Sequence, residues 1–434
     1  MFGMALTAEA TAETRSYQGT IPERGEMIKY LEAQGFKSLA NFNISFTRGL
    51  NVLIGPNGAG KSSICQAIGL LSSLAQDDMV EYILSLGGAG AIFTLQNPSD
   101  APYKPPRQLE VSCRGEVEIR GDENFQLRYS YATGLRHTED GVKLFKEHIH
   151  IKRQSQIGSW RTIIRASREE GNVAKIAIRN PSLVGPVAFK ALKKQKDFEL
   201  ELPSNAESLL PILSVYYVCH LVREDLGYLR AWNIDPRLAK RSSDILEPLT
   251  MLPSGRRLAG AIYSLKKSSP EKFDELNAIL SESIPRFQEL HPETSQDALT
   301  RTFSITDCGG IECRAPSLPD GVVKTIALAV GILSRNRDSA IIEEPENYLH
   351  PWAAQWLIEY LRKYFAEGSC ILTTHSETVL NQVHPAEIVI VTNETGNTEA
   401  FRLHNKRTLV KAIQDSGFGC GYHYVTGALG GVPE

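Results

Sequence analysis

The sequence predicts an α/β chain with an antiparallel β subdomain and an inserted helical lobe, and three observations predict it. Residues 50–54 form an apolar run that leads into Gly55-Pro56-Asn57-Gly58-Ala59-Gly60-Lys61-Ser62 and then into helical spacing. Far downstream, Ala340-Ile341-Ile342 is a second apolar run that closes in Glu343-Glu344. Between them, residues 108–179 break into short runs of alternating polarity separated by Gly or charged turns. Strands and helices alternate at both ends, so the expected core is one layered α/β head assembled from distant halves of the chain.

Taken in order, residues 1–26 are rich in Ala, Thr and Glu and lack a basic signal-peptide start. They read as a disordered tail before a fold that begins near Met27. Residues 27–46 alternate in polarity around Gly35-Phe36-Lys37-Ser38, which predicts two paired strands. Residues 62–75 place Ile64, Ile68, Leu71 and Leu74 on one helical side. Residues 97–106 are Pro-rich and read as a connection. The runs 109–119, 125–131, 142–151, 160–165 and 174–178 predict the antiparallel sheet.

Residues 209–290 read as helical. Ser268-Ser269-Pro270-Glu271 resembles a helix start with Pro in its first turn, feeding Phe273, Leu276, Ile279 and Leu280. No heptads persist, so no long coiled-coil arm is expected. Helical patterning resumes over 322–333 and 352–364, with buried strands at 340–342, 371–374 and 388–391. The domain reading is a tail (1–26), an N-terminal half with the glycine-rich loop and the β subdomain (27–205), a helical lobe (206–310) and a C-terminal half (311–434).

The bulk properties narrow the class. The chain has 434 residues, 42% of them hydrophobic, and a formal net charge of −3, so no global basic footprint points to nucleic acid. Its longest apolar run, 326–333, falls far short of the roughly 20 residues of a membrane span. The seven cysteines stand singly with no C-x-x-C pair, which suits a reducing cytoplasm. Cys308 and Cys313 lie close in sequence, but no His or Cys cluster completes a zinc site.

The loop carries the chemistry. Its glycines let the backbone curl so that N–H groups point at the β- and γ-phosphates of a nucleoside triphosphate. Lys61 adds a point charge, the Ser62 hydroxyl is a ligand for Mg²⁺, and the helix that follows adds the positive end of its dipole. The second half of the site is the acidic strand. Glu343 is placed to organise Mg²⁺ and Glu344 to polarise the attacking water; the plainer reading is a helix start carrying favourable acids. A strand ending Thr373-Thr374-His375-Ser376 places His375 to touch a γ-phosphate, where a lone histidine would otherwise read as structural.

Together these segments resemble the ATP-binding-cassette class of heads found in RecF, SMC-like and overcoming-lysogenisation-type ATPases. Within that class the chain is most similar to single-chain, AAA-type ATPases without long coiled coils. The resemblance runs from Met27 to the C-terminus through residues 35–38, 55–62, 341–346, 347–351 and His375, with weaker support across 108–210. The helix 273–284 and the closing Gly427-Ala428-Leu429-Gly430-Gly431-Val432-Pro433 also look like family material. The resemblance implies an α/β, ABC-type P-loop ATPase head that uses ATP and Mg²⁺. It extends the nucleotide-binding set to Lys37, Gly55, Pro56, Asn57, Gly58, Ala59, Gly60, Lys61, Ser62 and Ser63, and it makes Gln96 the candidate Mg²⁺-sensing glutamine beside Ser62 and Glu343.

Such heads sandwich nucleotide between two copies, each offering a signature helix to the other. Leu318-Pro319-Asp320-Gly321-Val322 matches that segment, with Gly321 and the helix N-terminus offering N–H groups. The chain departs from the pattern at Pro319, where a serine usually bonds the γ-phosphate, and at Glu343, where Asp is common. Losing one charge-assisted phosphate contact removes about 1.5–3 kcal/mol from a closed dimer, so slow hydrolysis or a mainly conformational use of ATP is expected.

No second chemistry is visible, which suggests a head that drives something else: at least a homodimer, with a separately encoded effector protein. Two outputs compete. One is a sensor ATPase in bacterial antiviral defence, resembling the ATPases of Septu, retron-linked and PARIS systems and controlling a nuclease or toxin. The other is a RecF-like repair ATPase clamping DNA through Lys152, Arg153, Arg161, Arg165, Arg168, Lys190, Lys193, Lys194 and Lys196, although interleaved acids also suit a solvated face. A stand-alone nucleotidase comes third.

Overall fold

The computed structural model describes residues 23–94, 108–120, 124–155, 158–179, 197–202, 204, 207–227, 229–334, 339–394, 396–405 and 407–429. Its first strands are β1 (Glu23–Phe36), β2 (Leu39–Ser45), β3 (Gly49–Ile54), β4 (Gln108–Arg120), β5 (Phe125–Thr138), β6 (Gly141–Gln154), β7 (Trp160–Glu169), β8 (Val173–Ile178) and β9 (Asp197–Glu201). Then come β10 (Ala231–Trp232), β11 (Ser243–Asp244), β12 (Phe287–Thr294), β13 (Thr300–Asp307), β14 (Glu312–Arg314), β15 (Ser339–Glu343), β16 (Ser369–Thr373), β17 (Ile388–Thr392) and β18 (Glu399–Arg402). The chain divides into two compact units of separated segments. The first takes the described residues of 1–47, 58–230 and 392–400, the second those of 48–57, 231–391 and 401–429.

The first unit is built on an antiparallel sheet of order β2-β1-β4-β5-β6-β7-β8-β9. Period-two patterning sets its faces. In β5, Leu127, Tyr129, Tyr131, Thr133 and Leu135 are buried while Arg128 faces solvent. The helices Lys61–Gln76 and Tyr217–Gly227 pack together against this sheet, and Ile64, Ile68 and Leu71 of the former are buried. Each such side chain contributes about 1.5–3 kcal/mol when fully buried.

Two sequence expectations change in this unit. The first strand begins at Glu23 rather than near Met27, because β4 continues to Arg120 and pairs with the extra residues. Arg168, read as a DNA contact, is a core residue. It is fully buried and bonds Glu147 at 2.8 Å, while Glu147 also accepts from Tyr131, Ser208 and the Leu209 amide.

The second unit is built on a sheet of order β10-β15-β16-β3-β17-β18, parallel through β10, β15, β16, β3 and β17. Every residue of β16 is buried, as expected for a strand covered on both faces. The helices Leu258–Ser268, Pro270–Ser283, Asp320–Ser334 and Pro351–Tyr364 share its core with Leu50, Val52, Ile342 and Leu372. Pro270 opens its helix in the first turn, as the sequence indicates.

The segment 209–290 is not helical to its end. Helix stops at Ser283, and β12 pairs with β13 as an antiparallel hairpin. A register shift between Phe287 and Glu289 breaks the two-residue alternation that would have revealed a strand.

Candidate active site

The second unit places the acids by strand register. Glu343 lies beside Thr373, and Thr373 beside Leu53, so β15, β16 and β3 end level with one another. Gly55 follows directly on β3. The acidic strand end, the Thr373-Thr374-His375 end and the start of the glycine-rich loop therefore share one edge, the edge where open parallel sheets bind ligands.

Local geometry then aims the residues. Glu344 has φ +45°, a left-handed backbone that costs a non-glycine residue about 1–3 kcal/mol. Its amide donates to the Thr373 carbonyl (3.0 Å) and its own carbonyl accepts from Lys324 Nζ (2.8 Å). Asn347 Nδ2 donates to Glu344 Oε2 at 2.6 Å, and the remaining oxygen stands 3.9 Å from His375 Nε2. Glu343 accepts from Asn233 Nδ2 at 3.5 Å. Glu346 takes the Thr374 hydroxyl at 2.6 Å and the His375 amide at 3.4 Å, which fixes the turn that carries the histidine.

Burial shifts two of these groups. The Lys324 ammonium is pushed down to about 8 by burial, against the opposing pull of the Glu346 and Glu344 charges. Burial raises the Glu346 carboxyl, opposed by the hydrogen bond from Thr374.

The first unit holds Gly58 to Ser63. Gly58 and Gly60 sit at φ +83° and +104°, conformations that suit glycine. At Gly60 there is also no room, since a Cβ would lie 2.0 Å from Thr398 Oγ1. Thr398 donates to the Ala59 carbonyl (2.9 Å) and lies 2.8 Å from Ser38 Oγ, which reaches Ser63 Oγ at 3.2 Å. Asn393 Nδ2 donates to the Gly58 carbonyl at 3.4 Å. Side chains from outside the loop thus pin its backbone. The helix that begins at Lys61 leaves its first amides without partners from its own ladder, Lys61 is buried and Ser62 is exposed.

Lys37 lies in the β1–β2 turn at φ +50°, its amide donating to the Ile92 carbonyl. Pro56 is half-buried and Asn57 exposed. Gly321 occupies the first turn of the helix Asp320–Ser334, where a Cβ would lie 2.6 Å from the Tyr348 carbonyl oxygen. Close packing within this chain therefore already requires glycine there. Gln96 lies outside the described residues, as do Lys190, Lys193, Lys194 and Lys196.

The donor chemistry fits ATP and Mg²⁺. The candidate metal donors, Ser62 and Glu343, are hard oxygens, and a pinned glycine loop running into a helix N-terminus suits phosphate. Among the described residues no group of three or more His, Cys, Asp or Glu forms a metal cage. Mg²⁺ held chiefly by phosphate and water needs only one or two protein oxygens.

Three positioning residues were not singled out from the sequence. Lys324 had a signal, a lone charge in the apolar run Val323-Lys324-Thr325-Ile326. Thr373 had one in its place at a strand end. Tyr424, whose hydroxyl bonds both Gly55 and His375, had none.

Family comparisons fall on the same segments. A family described as an AAA domain matches residues 30–73, and one described as "AAA domain, putative AbiEii toxin, Type IV TA system" matches residues 220–381. A DNA double-strand break repair Rad50 ATPase of Archaeoglobus fulgidus is 33% identical over 104 residues, which are 23% of this chain and 12% of that protein. Among solved structures, an Smc head bound to the C-winged helix domain of ScpA superposes with a TM-score of 0.49 at 14% identity, covering 88% of this chain and 99% of that one. An Smc head with an extended coiled coil, derived from Pyrococcus furiosus, gives 0.48 at 13% identity, covering 90% and 100%. No helix among the described residues is long and apolar enough to cross a membrane. One AAA-domain match contains the glycine-rich loop and the other the acidic strand and His375, so each of these segments is similar to an AAA-domain family.

Proposed function

We propose that this chain binds and hydrolyses ATP with Mg²⁺ and uses closure on the nucleotide to control a separate effector protein. The observation that carries the reading is the register Glu343–Thr373–Leu53, which brings Glu343, with Glu344 next after it, to the same sheet edge as the end of the strand that feeds the glycine-rich loop, with β16 between them. In this reading the amides of Gly55, Asn57, Gly58, Ala59 and Gly60 cradle phosphate, Pro56 shapes the start of the loop without an N–H to donate, and Lys61, Ser63 and Lys37 add donors. Ser62, Glu343 and Gln96 are the residues that would hold Mg²⁺, which when bound would neutralise developing charge on the phosphates. Glu344 orients and polarises the attacking water, and His375 contacts the γ-phosphate. Gly321 and its helix N-terminus serve the nucleotide of a second copy.

The finer part of the proposal is control of a toxin or nuclease in antiviral defence; the family description over residues 220–381 links the AAA domain itself to a putative toxin of a toxin–antitoxin system. The test is to compare wild type, Lys61→Ala and Glu344→Gln for ATP binding, hydrolysis and capture of the product of a neighbouring gene. Hydrolysis that survives Glu344→Gln, or capture indifferent to both changes, sinks this reading.

A second reading, DNA binding, rests on the outer face of the antiparallel sheet. Arg114, Ser130, His150 and Arg165 are cross-strand neighbours in one row over β4, β5, β6 and β7, with no acid among them. Arg114 stacks on Tyr30 and Arg128 on Trp160, at 4.2 and 4.1 Å. The His150 imidazole is held below its usual range first by burial and then by the charges of Arg165 and Lys152. Duplex binding that weakens steeply with salt, and less steeply after Arg165→Ala, would favour it.

A further inference from the structure

We propose that Tyr424 is a positioning residue that couples His375 to the glycine-rich loop and sets the tautomer of its ring. Its phenol donates to the Gly55 carbonyl at 3.0 Å and lies 3.2 Å from His375 Nδ1. A phenol has one proton, and a carbonyl can only accept. With that proton on Gly55, the bond to His375 forms only if Nδ1–H donates to the phenol oxygen. The neutral ring therefore carries its proton on Nδ1 and leaves Nε2, 3.9 Å from Glu344 Oε1, as the atom that can take up a second proton and then donate.

The surroundings are built to hold this bridge. Tyr424 is 6% exposed, and burial keeps its hydroxyl protonated by raising its pKa. It stands on the short helix Cys420–Val425, which packs on the helix Glu377–Leu380 that begins two residues after His375. That approach needs glycine, since a Cβ on Gly421 would lie 2.5 Å from the Glu377 carbonyl oxygen. The Gly421 amide also bonds Asn381 Oδ1 at 2.9 Å. Displacement of the loop at Gly55 is thereby passed to His375 through one side chain, from a segment outside both AAA-domain matches.

The tautomer is read in the nucleotide-free full chain by ¹⁵N shifts of labelled histidine, with His375 assigned by the signals lost in His375→Asn. We expect a proton on Nδ1 in the wild type and a shift toward the other tautomer in Tyr424→Phe, which removes only the hydroxyl. A wild-type proton on Nε2, or identical tautomers in both proteins, overturns the inference.

The kinetic arm rests on the ATPase reading. There, Tyr424→Phe is expected to lower kcat about tenfold with nucleotide affinity unchanged within about threefold. An unchanged kcat also overturns the inference. A wild type that never hydrolyses ATP sinks the ATPase reading instead, and the tautomer measurement then decides the inference alone.

Discussion

The Lys324 ammonium donates to the Glu344 carbonyl at 2.8 Å, so the acid that follows β15 is held by a cation buried in the helix Asp320–Ser334. The backbone it holds is left-handed, at φ +45°. One hydrogen bond therefore helps to keep Glu344 in a conformation that a free chain would leave.

Replacing Lys324 by Met keeps most of the volume and removes the donor. We expect kcat to fall about tenfold, with a stability change of about 1–3 kcal/mol at neutral pH. The pH dependence has a definite sign. Burial lowers the Lys324 pKa from 10.5 to about 8, so between those values the unfolded chain binds more protons than the folded one. The wild type should thus gain stability relative to Lys324→Met as pH rises through that window, by up to about 2–3 kcal/mol. Urea unfolding of both proteins at about pH 7.5 and about pH 10 checks this; a difference that shrinks with pH would refute it.

Gly60→Ala should be more damaging than its size suggests. The new methyl would lie 2.0 Å from Thr398 Oγ1 and 2.8 Å from Ser38 Oγ, at a backbone angle that disfavours alanine. Expected outcomes are a loss of about 1–3 kcal/mol in stability and at least tenfold weaker nucleotide binding. Fluorescent-nucleotide titration beside thermal unfolding separates the two effects.

Lys61→Ala and Glu344→Gln should part company. Removing the lysine should weaken triphosphate binding about a hundredfold or more, because it deletes a charge from the phosphate cradle. The glutamine variant should bind ATP normally, hydrolyse it at least a hundredfold more slowly, and accumulate as a closed dimer. Light scattering with and without ATP reads the last point. A strictly monomeric Glu344→Gln protein with ATP bound would argue against a shared nucleotide.

The buried Arg168–Glu147 pair should matter for stability and not for nucleotide. Arg168→Leu leaves Glu147 buried without its cation and should cost about 3–5 kcal/mol by denaturant unfolding. Nucleotide affinity in the folded variant should match the wild type. Strong DNA binding that Arg168→Leu abolished in a folded protein would contradict its place in the core.

The sequence carried the loop, the acidic strand and the histidine because each is local: a glycine run after an apolar strand, acids at a strand end, a polar strand end. Most helices and seven of the eight strands of the antiparallel sheet, all but β9, were legible for the same reason, as periodicity survives in the chain itself. Arg168 was misread because a charge looks exposed until its partner is known. Glu147 becomes that partner only through the β6–β7 register. The hairpin at β12 and β13 was missed where a bulge erased alternation.

By itself the sequence singled out the groups proposed to serve the nucleotide, Lys61 and His375 toward phosphate, Ser62 and Glu343 toward Mg²⁺ and Glu344 toward water, because each stands in a short motif whose chemistry needs few neighbours. Tertiary structure decided how some of them are held. Lys324 reaches Glu344, and Tyr424 reaches both Gly55 and His375, only after segments far apart in the chain have packed. A hydrogen bond depends on distances of a few tenths of an ångström, and only the folded core sets those.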